Sequence, residues 1–270
     1  MEYYRHVYRN SQLWLGDDLK DKRVMLYCEQ GLGDNIQFLR YLPRLQALGC
    51  HVIVHCSSIL HPLLPYAGAK EWLDKDNEIL PEHDYHVLSL DLPFVLSSAF
   101  SRSTPGAMQR WWMGESLDEY MPQINKDIPQ PPYIHFNEKE ELPSGTNVGI
   151  CWSGNPNHYN DDDRSCHLKE FKGIKGRLIS LQKDICPKWT TGAEDMELLS
   201  NGLNDLLDTM RLINAVDFVV SVDSLVMHLA GALNKKTYCL LGDNPDPRWG
   251  NNLWYPSVTF CHKSKIGELT

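Results

Sequence analysis

Two stretches of this chain share one plan, and that plan restricts the fold more than any other feature. EQGLGDNIQFLRYLP at 29–43 follows the apolar run VMLYC at 24–28, and VSVDSLVMHLAGAL at 220–233 continues the run DFVVSV at 217–222. Short apolar runs bounded by turn residues fit strands buried on both faces of a parallel sheet. After the first run, Gly31 and Gly33 let the backbone turn sharply. Asp34 then stands where a helix N-cap belongs, and Phe38, Leu42 and Leu45 recur behind it at helical spacing. In the second stretch Asp223 and Ser224 take the turn, and Val226, Leu229, Ala230 and Leu233 supply the helix's apolar face. Each stretch is a strand, a tight turn and a helix, the repeating unit of doubly wound α/β folds. Two helix starts, one in each half, suit an anionic ligand, because first-turn amides lack partners inside the helix. The dipole contributes only ~0.3–1 kcal/mol per charge, so side chains must do most of the holding.

A third segment offers such side chains. VGICWSGNPNHYNDDDRS at 148–165 reads as a strand ending in a Gly, Asn and Pro turn. Arg164 can pair bidentately with a phosphate, and Ser153, Asn155 and Ser165 can donate hydrogen bonds to it. A loop of this composition on its own reads as polar surface; beside two similar strand-end turns, the phosphate reading gains. Asp161, Asp162 and Asp163, near His158 and His167, invite comparison with a cation site, but a solvated acidic loop is the expectation. Ile36 replaces the third glycine of a dinucleotide fingerprint, and no G-x-x-x-x-G-K-[ST] occurs. VDSLV lacks the glycines of a serine-hydrolase elbow.

HVIVHC at 51–56 and HVLSL at 86–90 read as further strands of the first half, with helices between them. Prolines cluster from Met121 onward, at 122, 129, 131, 132 and 143, before VGICW opens a second βα series through LISLQ, DFVVSV and TYCLL. The reading is a first domain over 1–130, a linker over 131–146 and a second domain over 147–270. With 270 residues, 42% of them hydrophobic, the chain can bury two cores. Its apolar stretches fall short of the ~20 residues of a membrane span, and MEYYRHVYRN has no signal-peptide core. Eight cysteines without a C-x-x-C, among them Cys28, Cys151 and Cys239 in apolar runs, read as buried thiols. A cytoplasmic, reducing setting is expected. Lys and Arg number 26 against 35 Asp and Glu, a net charge of −9, which makes a nucleic acid the minority expectation for a partner.

Taken in order, EQGLGDNIQFLRYLP, VGICWSGNPNHYNDDDRS, SLQ at 180–182, VDSLVMHLAGAL and PRWGNNLWYPSVTF at 247–260 resemble successive blocks of the heptosyltransferase-like glycosyltransferases of family 9. The resemblance is greatest to the catalytic region that often follows tetratricopeptide repeats in bacterial proteins, and it runs from about Trp14 to Phe260. It implies a GT-B architecture, two Rossmann-like domains facing a central cleft, with the acceptor on the first and a nucleotide-diphosphate sugar on the second. It further implies inverting, metal-independent transfer, with no cofactor besides that co-substrate. By the same resemblance Asp34 is the general base, with Gly33, Asn35 and Gln37 on the acceptor side. Asp223, Ser224 and His228 match the donor-contacting Asp-Thr-x-x-x-His helix start, and Arg164 falls near the basic phosphate ligand. Ser153, Gly154, Asn155, Ser165, Gln182 and Arg248 complete the expected donor side. Leu225 stands where heptosyltransferases proper carry Gly, which leaves the donor sugar open.

Two departures from the family pattern stand out. GAMQRWWMGESLDEYM at 106–121 does not match it; Trp111 and Trp112, flanked by Arg110, read either as a stacking surface for the acceptor or as anchors of a loop. Relatives carry a further helix past FCHK, where SKIGELT follows here, so looser closure or a contact from another chain is expected. Trp249, Trp254 and Tyr255 read as a donor wall or as a cap on the second sheet, the cap being preferred. Two other readings stand beside the transferase: a non-catalytic nucleotide-sugar-binding protein, and an enzyme that modifies nucleic acid or a protein side chain.

Overall fold

A computed structural model describes residues 11–77, 79–97, 125–199, 202–250 and 252–269. Arg110, Trp111 and Trp112 lie outside them. The chain divides into two compact units, Met1–Pro129 and Gln130–Thr270.

The first unit is built on a parallel sheet of β1 (Gln12–Leu13), β2 (Arg23–Tyr27), β3 (His51–Cys56), β4 (Glu71–Asp74) and β5 (Tyr85–Leu88), in the order β1-β5-β2-β3-β4. Val24, Met25 and Leu26 in the central strand are fully buried, as a strand covered on both faces requires. The strands at 24–28, 51–56 and 86–90 stand where the apolar runs placed them. β1 and β4 were not legible, being two and four residues long with no alternating pattern. Helices are shorter than the periodicity suggests. α1 (Leu32–Phe38) gives way to a 3₁₀ turn at Leu39–Tyr41, and α2 restarts at Leu42–Gln46, where Pro43 has no N–H to continue the earlier ladder. Ser58–Ala67, with Pro62 and Pro65 inside it, winds as 3₁₀ throughout. A last short helix of this unit, α3, covers Leu92–Val95.

The second unit repeats the plan. β6 (Asn147–Cys151), β7 (Arg177–Ser180), β8 (Phe218–Val222), β9 (Thr237–Leu241) and β10 (Val258–His262) form a parallel sheet in the order β10-β9-β8-β6-β7. The helices are α4 (Asp161–Arg164), α5 (Leu206–Ala215) and α6 (Leu225–Ala232). Asp205 caps α5 through its carboxylate, which accepts from the amides of Leu207 and Asp208. From Val226 to Ala232, α6 is buried on every side, and its sequence, apolar but for His228, has no polar face to turn outward. The proline-rich stretch 131–146 packs on this unit: Tyr133, Ile134 and Phe136 are buried, the Tyr133 amide donates to Ala232 O at 3.2 Å, and Arg211 Nε meets Glu138 Oε2 at 2.9 Å.

In each sheet the chain order reverses once, between β2 and β5 in the first and between β6 and β8 in the second. Ligands of open parallel sheets sit beyond the carboxyl ends of the strands at such a reversal.

Candidate functional site

In the second unit the segments leaving β6 and β8 meet at the reversal. The Ser153 amide donates to Gln182 Oε1 at 3.1 Å, and Cys151 Sγ lies 3.3 Å from the same oxygen. Gln182 Nε2 in turn donates to Asp184 O. Gln182 therefore clamps the end of β6 to the end of β7. Next, the Gly154 amide donates to Ser165 Oγ at 3.1 Å, and Ser165 Oγ to Asp161 Oδ1 at 2.7 Å. Asp161 also accepts from Trp189 Nε1 at 3.1 Å.

The three aspartates are thus no solvated loop. They form the helical turn α4, held in three directions. Asp161 faces inward to Ser165 and Trp189, Asp162 pairs with Lys188 outside, and Asp163 accepts the amides of Asp243 and Asn244 at 2.8 and 2.9 Å. Those amides, with Lys263 nearby, hold the Asp163 carboxyl below its ordinary range against the opposing effect of burial.

This turn delivers Arg164 onto Gly154. A methyl group added at Gly154 would fall 2.4 Å from Arg164 Nη2 and 2.7 Å from Cζ, so glycine is what allows the guanidinium to lie flat on the backbone. Arg164 Nη2 donates to Asn155 O at 3.3 Å. Beside it, Ser153 Oγ is buried with no hydrogen-bond partner, the state of a group awaiting one.

From β8 come Asp223 and Ser224. Ser224 is the N-cap of α6, yet its hydroxyl caps no amide; it lies 3.1 Å from Ser221 Oγ and 3.6 Å from Cys151 Sγ. The amides that open α6 at Leu225 therefore remain available to an anion. Asp223 Oδ2 accepts from Trp249 Nε1 at 2.9 Å, and Oδ1 lies 3.9 Å from His228 Nε2. Burial pushes the Asp223 carboxyl up, opposed by the Trp249 bond and by Arg248 and Arg164. His228 is buried, with Nδ1 2.9 Å from Tyr255 OH, which is 3.3 Å from Tyr133 OH. Asp223 and His228 thus join a chain of internal hydrogen bonds that braces the start of α6. Arg248 reaches Asp246 at 3.0 Å and lies over the Trp249 ring, while Trp249 stacks on Phe260 of β10. Trp249 and Tyr255 are both buried, and Trp254 is half-buried.

In the first unit Asp34 is not the N-cap of α1. Gly31 takes that position, and Asp34 at N3 reaches back, its Oδ2 accepting from the Gly31 amide at 3.1 Å. The helix starts three residues earlier than expected, because Gln30 adopts φ +65° and lets Gly31 take the N-cap. Gly33 is half-buried on α1, whereas Asn35 and Gln37 point into the unit, 4% and 0% exposed. A polar group that the residue pattern did not single out stands beside them: Glu29, Ser89 and Asp91, all buried. Burial, and secondarily the charge of Asp91, pushes Glu29 up to about 8. The visible signal was a carboxylate placed directly after each of two apolar strands.

Among the described residues no three His, Cys, Asp or Glu side chains converge to hold a metal ion. Nor is any helix there long and apolar enough to cross a membrane.

Residues 182–268, the stretch with Gln182, Asp223, Ser224, His228 and Arg248, match the model of glycosyltransferase family 9 (heptosyltransferase). Over that stretch the chain is similar to family 9. A curated relative, protein FlbA of Caulobacter vibrioides, is 26% identical over 91% of this chain and 44% of its own length. The chain thus spans less than half of that relative. Among solved structures, the chain is similar to the family 9 glycosyl transferase of Veillonella parvula, at 11% identity and TM-score 0.61, over 92% of this chain and 88% of that one. It is also similar to TibC of enterotoxigenic E. coli, described as an iron-containing dodecameric glycosyltransferase, at 15% identity and TM-score 0.60, over 94% and 67%. TibC has also been solved with ADP-D-β-D-heptose (TM-score 0.58). This chain shares the α/β GT-B fold of these structures, with one parallel-sheet unit following another.

Proposed function

We propose that this chain is an inverting glycosyltransferase, binding a nucleotide-diphosphate sugar on its second unit and using Asp34 of the first as general base toward an acceptor hydroxyl. The observation that carries the reading is Arg164 laid on Gly154 beside the unpartnered Ser153 hydroxyl and the uncapped start of α6. A guanidinium, a hydroxyl and free helix amides are the donor set a diphosphate requires. Gln182, Ser165 and Asp161 hold those groups in place, and Asp223, His228 and Trp249 brace the helix start, so their role is to position the donor site.

In the proposed step the acceptor oxygen bonds to the anomeric carbon from the face opposite the leaving group, which inverts that centre. The carbon–oxygen bond to the diphosphate breaks, and its electron pair stays on the departing nucleoside diphosphate. The hydroxyl proton passes to Asp34. Arg164, Ser153 and the α6 amides stabilise the charge growing on the diphosphate. Positively charged and N–H groups of the chain thereby take the part a cation takes elsewhere, and transfer is proposed to need no metal. TibC is described as iron-containing, so turnover is also measured with a chelator present. Because TibC binds ADP-heptose, ADP-sugars are the first donors to examine; Leu225 at the first position of α6 leaves the sugar itself open.

The test is calorimetric titration of the chain with ADP, UDP and GDP, followed by turnover of the matching sugar nucleotide by wild type and Asp34→Asn. Binding by both, with turnover by wild type alone and unaffected by a chelator, supports the reading. Binding with no turnover by wild type makes the chain a nucleotide-sugar-binding protein instead. Salt-dependent retention on DNA would direct the acceptor search to nucleic acid.

A further inference from the structure

Two apolar runs of the first unit end in cysteine, VMLYC at 24–28 and HVIVHC at 51–56. The register of β2 and β3 sets Tyr27 beside His55, and the ladder continues one step further, with the Cys28 amide donating to His55 O at 2.9 Å. Cys28 and Cys56 are therefore lateral neighbours at the carboxyl ends of adjacent parallel strands, on one face of the sheet. Neighbouring strands lie about 4.8 Å apart, inside the ~4.4–6.8 Å between Cα atoms that a disulfide spans. The two side chains hydrogen-bond each other. Other thiols of the chain turn to backbone oxygens: Cys50 to Leu45 O, Cys151 to Ser153 O and Cys261 to Cys239 O. Cys56 is 0% exposed, whereas Cys28 is half-buried, and both are free thiols. The turn that follows Cys28 carries Gln30 at φ +65°, the Gly31 N-cap and Asp34.

We propose that Cys28 and Cys56 form a reversible dithiol site, oxidised by low-molecular-weight disulfides of the glutathione class, whose disulfide form displaces the Glu29–Asp34 turn. The half-buried Cys28 reacts first. Its thiolate attacks one sulfur of the small disulfide, expels a thiolate and leaves a mixed disulfide on Cys28. Cys56, having given up its proton, attacks the Cys28 sulfur and expels the second small thiolate. The protein loses two electrons and two protons, and the small disulfide takes them up as two thiols. The bond to Cys56, burial and the neighbouring Glu29 push the Cys28 thiol up, so the exchange quickens as pH rises. Closing the sulfurs from hydrogen-bond contact to about 2.05 Å requires movement. Cys56 is the last residue of β3, still paired with Asp74 of β4 and held by the Lys75 amide on its carbonyl at 2.8 Å. Cys28 already lies outside β2, so the movement falls on it and on the turn behind it. If Asp34 is the acceptor-side base, as the proposed function has it, oxidation withdraws the base while the donor site in the second unit is untouched.

Two measurements on the full chain, neither needing a substrate, test this. In the first, native protein is equilibrated with reduced and oxidised glutathione in varied ratio, free thiols are trapped by alkylation, and the peptides are mapped by mass. A Cys28–Cys56 disulfide that forms as the ratio turns oxidising and is reversed by dithiothreitol is expected; Cys56→Ser should stop at a glutathione adduct on Cys28, and Cys28→Ser should form neither. In the second, amide hydrogen exchange is compared between reduced and oxidised wild type, which needs no variant to fold. Exchange over residues 29–38 should change by about threefold or more and that of α5 and α6 by less than about twofold. The proposal is overturned if Cys28 and Cys56 stay reduced in oxidised glutathione, if they pair only in denaturant, or if the disulfide leaves exchange in the turn unchanged. Turnover of a sugar nucleotide should fall about tenfold or more on oxidation, with nucleotide affinity kept. Failure of the glycosyltransferase reading would look different: the disulfide and the exchange change as expected, with no turnover in either redox state.

Discussion

Gly154→Ala separates the candidate donor site from the fold that supports it. The new Cβ would lie 2.4, 2.7 and 2.8 Å from Nη2, Cζ and Nε of Arg164, closer than real Cβ atoms come to any heavy atom. Those atoms are the end of a long, flexible side chain. The guanidinium therefore swings away and the sheet is undisturbed, with stability changing by about 1 kcal/mol or less. What is lost is the flat seat over Gly154 and the Nη2 bond to Asn155 O. A charge-assisted hydrogen bond to phosphate is worth about 1.5–3 kcal/mol, so Kd for the preferred nucleoside diphosphate should rise about 10- to 150-fold. Calorimetric titration of wild type, Gly154→Ala, Arg164→Ala and the double variant is the assay, with thermal melts alongside. The two single variants should lose similar affinity and the double variant little more, because both remove one interaction. Wild-type affinity in Gly154→Ala would refute the placement of Arg164 at the phosphate. A collapse of Tm would show instead that the glycine serves the fold.

Three further outcomes are expected. Gly231→Ala puts its Cβ 2.3–2.8 Å from the Tyr255 ring, which is fully buried and bonded to His228, so overpacking should cost about 1–3 kcal/mol in a denaturant melt. Asp161→Ala leaves Ser165 Oγ and Trp189 Nε1 without their acceptor, and should lower stability by about 2–4 kcal/mol and weaken nucleotide binding with it. Burial lowers His86 to about 4, so the unfolded chain takes up a proton there that the folded chain does not. Its contribution is complete above about pH 6.5 and declines as pH falls toward 4, by about 3 kcal/mol in all; urea melts of His86→Phe should show a shallower acid limb than wild type.

Strands were legible where they are buried on both faces, because runs such as MLY in β2 and VVSV in β8 admit nothing but a sheet interior. β1 and β4 were not, since their pairing with β5 and β3 comes from register and not from their own composition. The helix over 34–45 was anticipated as one element, and Pro43 divides it. In the candidate site, Arg164 and Ser153 were visible as polar residues after a strand, and the structure adds why they meet: Gly154 leaves room and Asp161 anchors the turn. The aspartate run misled because adjacent carboxylates look alike in a sequence, whereas here each faces a different partner. His228 and Gln182 carry no mark that separates a ligand contact from a brace; that distinction arises only from Tyr255 and Ser153, far away in the chain. Glu29 and Asp91, 62 residues apart by numbering, each follow one of the paired strands β2 and β5.

The path of residues 130–146 has a consequence for chimeras. Tyr133, Ile134 and Phe136 lie inside the second unit, and Asn214 Nδ2 donates to the carbonyls of Phe136 and Glu138 at 2.9 and 3.0 Å. A second unit excised at Asn147 would leave α5 and α6 uncovered along that strip, with apolar surface open to aggregation. Recombination between relatives, in the laboratory or over evolutionary time, can exchange first units without injury by joining them ahead of Gln130, so that the strap travels with the sheet it clasps.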